Sequence, residues 1–189
     1  MTNRAQEIEG SLTVLATVLG QHQDQVAGAA TSAEAGPSAV GSTAGTEWPG
    51  YEATAQQLTE IASALQEVGD RAVSCVGILH PLHSEPGLGD VSERLNQAAD
   101  EIDTRLDGVL TQLEEARSAL ATIGEEYLTG VLHGVVEGIQ ESAEALSAIQ
   151  KDIAQEQASA TGRNRAGSSG GDPPGARAEV QARIEELRR

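Results

Sequence analysis

The chain has 189 residues, a formal net charge of −17 and only three aromatic residues, Trp48, Tyr51 and Tyr127, with no Phe. A body this acidic repels nucleic acid and anionic membrane surfaces, so neither is an expected partner. A core without aromatics must be built from Leu, Ile, Val and Ala, which suits helix-on-helix packing better than a sheet sandwich. Ala, Glu, Gln and Leu are abundant helix formers. The period-two runs that mark strands are missing.

Charge is unevenly spread. Residues 1–162 carry 25 acidic and 6 basic side chains, whereas residues 163–189 carry 4 and 6. The shift marks a boundary near residue 162. Cys75 is the single cysteine, so neither an intrachain disulfide nor a Cys-based zinc site is expected. The stretch Met1–Gly10 is polar and has no apolar segment of the kind a cleavable signal peptide needs. The longest apolar stretch, Tyr127–Ile139, is too short to span a bilayer and contains His133 and Glu137. A cytoplasmic chain is expected, or one exported without a cleavable signal.

The first helical pattern runs from about residue 4 to 30. Ile8, Leu12, Leu15, Leu19, His22 and Val26 are spaced 4, 3, 4, 3, 4, a heptad stripe that buries one narrow face. Residues 31–50 form a Gly/Ser-rich loop that Trp48-Pro49-Gly50 closes, and Pro49 suits the first turn of a helix. A second helix, from about Tyr51 to Leu79, has its stripe at Tyr51, Ala55, Leu58, Ala62, Leu65, Val68, Ala72, Val76 and Leu79, slipping by one residue at Gly69. His80-Pro81 and the segment 83–89 stop it.

Asp90 with Glu93 forms a capping box that opens a third helix. Its stripe is Val91, Leu95, Ala98, Ile102, Leu106, Val109, Leu113, Ala116, Leu120 and Ile123. A further stripe follows at Leu128, Val131, Val135, Ile139, Ala143, Leu146, Ile149 and Ile153. Gly124 and the glycines at 130, 134 and 138 favour a break between Ile123 and Thr129 over one helix about 105 Å long. The domain reading is therefore an N-terminal helical hairpin over 1–80 and a second hairpin over 90–160. A disordered linker over 161–175 and a short charged helix over 176–189 complete it. The fold class is all-α, an elongated four-helix, coiled-coil-like assembly of two long hairpins.

No catalytic, cofactor-binding or metal site is expected. His83-x-Glu85 has the start of a zinc deaminase signature, but the later cysteine pair that signature requires is missing. His80 and His83 have no Cys or fixed carboxylate beside them in sequence. Cys75 sits in an apolar run as a small hydrophobe rather than a nucleophile. The pairs Asp100-Glu101, Glu114-Glu115 and Glu125-Glu126 fall mostly off the stripe, on a solvated face. Gly130, Gly134 and Gly138, four apart, share one helix face and predict a close helix–helix contact within the bundle or between copies. The alternative is a loose or broken helix.

Trp48-Pro49-Gly50 between two helices resembles the turn of the WXG family of type VII secretion substrates. That family's Tyr followed four residues later by an acid is missing, because Ala55 follows Tyr51 and Val131 follows Tyr127. The succession of acidic Ala-rich heptad helices, Gly/Ser/Pro linker and charged helix Ala176–Arg189 resembles the N-terminal regions of actinobacterial polymorphic toxins. The resemblance implies a delivery or pairing module whose effector domain is absent or separate. The expected partner is thus a protein: an effector, a secretion component or a second copy. The alternative is an acidic inhibitor or immunity-type protein that binds a basic enzyme or mimics nucleic acid.

Overall fold

The computed structural model describes residues 4–35, 49–84, 88 and 91–168. They form α1 (Arg4–Glu34), α2 (Pro49–Leu79), a 3₁₀ turn at His80–Ser84, α3 (Val91–Thr122) and α4 (Glu126–Ser168). No strand occurs among the described residues. Pro49 opens α2, where its missing N–H costs nothing. Asp90 and Trp48 lie outside the described residues, although α3 begins at Val91, where the capping box places it. The segments 169–175 and 176–189 also lie outside them.

Each helix buries one heptad stripe. In α1 it runs Ala5, Ile8, Leu12, Leu15, Leu19, His22, Val26, Ala29 and Ala33, in steps of 3 and 4, and every member except His22 is buried. The α3 stripe, from Ser92 and Leu95 through Ile102, Leu106 and Leu113 to Leu120, matches the sequence pattern over its central and last turns. At its start Ala99 joins Ala98, and Val91 is only half-buried. Two stripes need correction. The one in α2 does not slip. It passes through Thr54, Leu58, Ile61, Leu65, Val68, Ala72, Cys75 and Leu79 in unbroken 4, 3 steps, leaving Gly69 beside it and Val76 half-buried. In α4 the buried positions include Leu132, Val136 and Ser142, while Val131 and Ala143 are half-buried.

The helices pack as a ring. α1 contacts α2 and α4, α3 contacts α2 and α4, and neither diagonal pair meets among the described residues. All four interfaces are antiparallel. Tyr51 Oη donates to Glu125 (2.8 Å) at one end of α2–α3, and Arg71 meets Glu101 further along. Arg117 meets His133 (3.0 Å), and Asn96 donates to Gln157 (3.0 Å), across α3–α4. Arg4 pairs with Asp152 (2.5 Å) across α1–α4. The described residues form an up-down-up-down four-helix bundle, whose two shortest helices, of 31 residues, span about 46 Å.

The break after α3 falls where the glycine placed it. Gly124 has φ +78°, a left-handed conformation that costs an L side chain. Its N–H donates to the Ala121 carbonyl (3.1 Å), and the Glu125 N–H donates to the Leu120 carbonyl (3.0 Å). These two bonds are the Schellman pattern that closes a helix C-terminus. The Thr129 N–H then donates to the Glu125 carbonyl and starts α4. At its far end α4 reaches Ser168, past the boundary at 160 where the sequence pattern ends. Alanine and arginine between Ala158 and Ala166 are good helix formers, and they outweigh Gly162.

Gly124→Ala should lower unfolding free energy by about 1 kcal/mol, because the new side chain must occupy a left-handed backbone. Urea denaturation followed by circular dichroism measures it, and unchanged stability would contradict the role of the turn.

Candidate interaction surface

The face predicted along Gly130, Gly134 and Gly138 is only partly closed. A Cβ added to Gly130 or Gly134 meets nothing within 4 Å, and both glycines are exposed. Within the bundle these two make no close helix approach. Gly138 differs: a Cβ there would fall on the imidazole ring of His22 in α1. His22 occupies a stripe position that would otherwise hold an aliphatic side chain. The missing side chain at Gly138 makes the space for its ring, and His22 Nδ1 pairs with Gln25 Oε1 (3.1 Å). The tight contact is therefore one side chain against one glycine.

Neither a metal site nor a nucleophile is expected at the His and Cys positions, and the structure places them as follows. Among the described residues no cluster of three His, Cys, Asp or Glu could hold a metal. The His80 side chain is exposed, with Nδ1 3.5 Å from Glu9; His83's side chain and Glu85 lie outside the described residues. Cys75 is buried, and burial pushes its thiol above the ordinary value, with Glu101 adding and Arg71 opposing. A thiol held neutral in this way is a poor nucleophile. Gly50 stands in the first turn of α2.

The distribution of charge is more informative. Most cations lie along helix–helix edges. Arg4 pairs with Glu7 and Asp152, Arg71 with Glu101, Arg105 with Glu67, and Arg117 with Glu114. The paired side chains are between about a third and two thirds exposed, and each pair contributes little to stability. Glu93, Asp100, Asp107 and Glu114 recur every seven residues along α3 and so line up on one side of it, two turns apart. Glu137, Glu141 and Glu144 are exposed on the neighbouring α4. Between the two helices an open groove has Leu110 and Val136 among its lining, with Glu114, Glu115, Ser118 and Gln140 around them.

Sequence reasoning treated these acids as adjacent pairs and missed the row. Its signal, a carboxylate at every seventh position in register with the buried stripe, is readable from residue numbers alone.

Set against known protein families, curated proteins and solved structures, the chain has no significant match. No helix among the described residues is long and apolar enough to cross a membrane.

Two predictions follow from the close contacts. Gly134→Ala should raise stability by about 0.5–1 kcal/mol, as expected for an exposed helix glycine. Gly138→Ala should lower it, and His22→Ala should relieve that loss in the double variant; melting curves of the four proteins form the cycle.

Tyr51 supplies a pH test. Burial and the hydrogen bond to Glu125 raise its pKa above 10.0. The folded state thus favours the protonated phenol, and the stability this contributes is present below pH 10 and declines as pH rises through the folded value. Tyr51→Phe should flatten that alkaline decline in a series of denaturation curves.

Proposed function

We propose that this chain is a non-enzymatic helical interaction module whose acidic α3–α4 side binds a basic protein surface. The observation that carries the reading is the carboxylate row Glu93, Asp100, Asp107 and Glu114, with Glu137 and Glu144 exposed on the outer edge of α4. Among the described residues no ion pair neutralises Glu93, Asp107, Glu141 or Glu144. Carboxylates ordered on a rigid helix attract a cationic partner, speed its encounter and select its orientation. The groove at Leu110 and Val136 offers an apolar strip where such a partner can bury side chains. The resemblance to polymorphic toxin N-terminal regions points to an effector paired with the module, presented or exported with it.

A second reading is favoured by the same asymmetry. An inhibitor that blocks a basic enzyme would also gather its carboxylates on one side. The two readings differ in what happens to the partner: a delivery module leaves the effector active, and an inhibitor silences it.

The test is calorimetric binding of the chain to the products of its neighbouring genes at rising salt. The expected result is binding that weakens with salt and falls about tenfold or more in the triple variant Glu93→Gln, Asp100→Asn, Asp107→Asn. Activity of the bound partner decides between module and inhibitor. Binding that ignores both salt and the triple variant would overturn the acidic-face reading, as would failure of every neighbour to bind.

A further inference from the structure

The outer edge between α1 and α4 carries an apolar strip. Arg4 reaches Asp152 across this edge, and His22 meets Gly138. Seven-residue steps from those contacts place Ser11 and Val18 on the flank of α1 that Arg4 uses, and Ala145 on the flank of α4 between Gly138 and Asp152. Val14 and Ala148 stand beside them, further out. Val14 is 63% exposed. Ser11, Ala145 and Ala148 are also exposed, and Val18 is half-buried. α1 carries no Asp, Glu, Lys or Arg from Gly10 to Gln23, and α4 carries none from Ala145 to Gln150. Glu141 and Glu144 border the strip on α4, and Glu7 borders it on α1.

α4 outruns its neighbour. With His22 level with Gly138, Arg4 lies level with Glu156, and α4 continues to Ser168, about 18 Å further. Residues 169–175 follow, and seven residues reach at most about 24 Å when extended. They include Gly170, Gly171, Pro173, Pro174 and Gly175, residues suited to reversing a chain. That connection is long enough to bring residue 176 back level with Arg4. A helix over 176–189, about 21 Å long, then runs beside α1 as far as Thr17. Val180 falls level with Ile8, Ile184 with Leu12 and Leu187 with Leu15, alongside the strip.

We propose that the segment 176–189, which lies outside the described residues, docks as a fifth helix on this α1–α4 strip. At helical spacing Val180, Ile184 and Leu187 share one face, flanked by Arg177, Arg183 and Arg188, with Glu179, Glu185 and Glu186 further round. Such a face fits an uncharged apolar strip bordered by carboxylates. The three apolar side chains cover Val14, Val18, Ala145 and Ala148. The arginine stems cover the rim, and their guanidinium groups meet Glu141 and Glu144. Among the described residues no ion pair occupies either of those carboxylates. The α3–α4 groove is a poorer match: Val136 lies about 48 Å before Ser168 along α4, out of reach of Val180 and Ile184.

A helix this short is marginal alone in water, and three apolar side chains make a weak contact. The tether compensates by holding the segment at an effective concentration on the order of mM. The docking is therefore intramolecular and reversible. It straddles α1 and α4 and leaves the α3–α4 side open, so the inference stands independently of the proposed partner.

Amide hydrogen exchange and NMR spectra of the full chain, at low and high protein concentration, test it. Amides over 180–187 should exchange at least about tenfold more slowly than in an open chain, equally at both concentrations. Val14→Glu and Ala145→Glu, both at exposed positions, should each abolish that protection with helicity of the bundle unchanged. The double variant Ile184→Glu, Leu187→Glu should shift the resonances of Val14, Val18, Ala145 and Ala148 and leave Thr104 and Thr111 on α3 where they are. Unprotected amides over 176–189 would overturn the proposal, as would protection that survives both Val14→Glu and Ala145→Glu. Protection that grows with concentration would assign the strip to a second copy instead. Shifts at Leu110 and Val136 in place of Val14 and Ala145 would put the segment on the wrong face.

Discussion

The described bundle depends on four narrow, mainly aliphatic stripes keeping the same 3, 4 rhythm over about 25 residues of each helix. Such a stripe covers one side of a helix and must be closed by neighbours of the same period. Four of them close by forming a ring, in which each helix touches two others. The core is leucine, isoleucine, valine and alanine, with Tyr51 packed at one end of α2. Small side chains keep the helices close, and burial of this aliphatic surface is the main favourable term. The exposed ion pairs at the edges contribute to register more than to stability.

Where the rhythm is interrupted by polarity, the opposite helix adjusts. His22 stands at a stripe position of α1, and α4 answers with Gly138. Ser142, buried on α4, returns its hydroxyl to the Gly138 carbonyl at 2.9 Å. No buried side-chain nitrogen or oxygen among the described residues lacks a hydrogen-bond partner. The polar groups admitted to the interior are thus satisfied locally, which spares the bundle the cost of an orphaned donor or acceptor.

Much of this was legible in residue order. The stripes of α1 and α3 are unambiguous because their flanks are polar. The break at Gly124 was legible because glycine tolerates the left-handed turn that ends α3. In α2 Ala55 and Ala62 are buried as the sequence pattern has them, and these apolar neighbours disguise the 4, 3 path through Ile61 and Cys75. In α4, valines on both sides of Leu132 blur the phase, and burial there depends on which neighbour each one meets. The three glycines of α4 look alike in sequence. What separates Gly138 from Gly130 and Gly134 is His22, far away in the chain, and only the packed helices bring the two together.

The ring has one interface unlike the others. α1–α2, α2–α3 and α3–α4 each join helices consecutive in sequence, and the three-residue turn at 123–125 is the shortest connection between them. α1–α4 alone joins the first and the last of the described helices. Closing it brings together segments separated by two whole helices, so the entropic cost of loop closure falls most heavily there. The hairpins can form from local contacts, whereas the seal between α1 and α4 comes from the most distant ones. His22 against Gly138 and Arg4 against Asp152 both lie on that seal. The latch of the bundle therefore lies between the first and the last of the described helices.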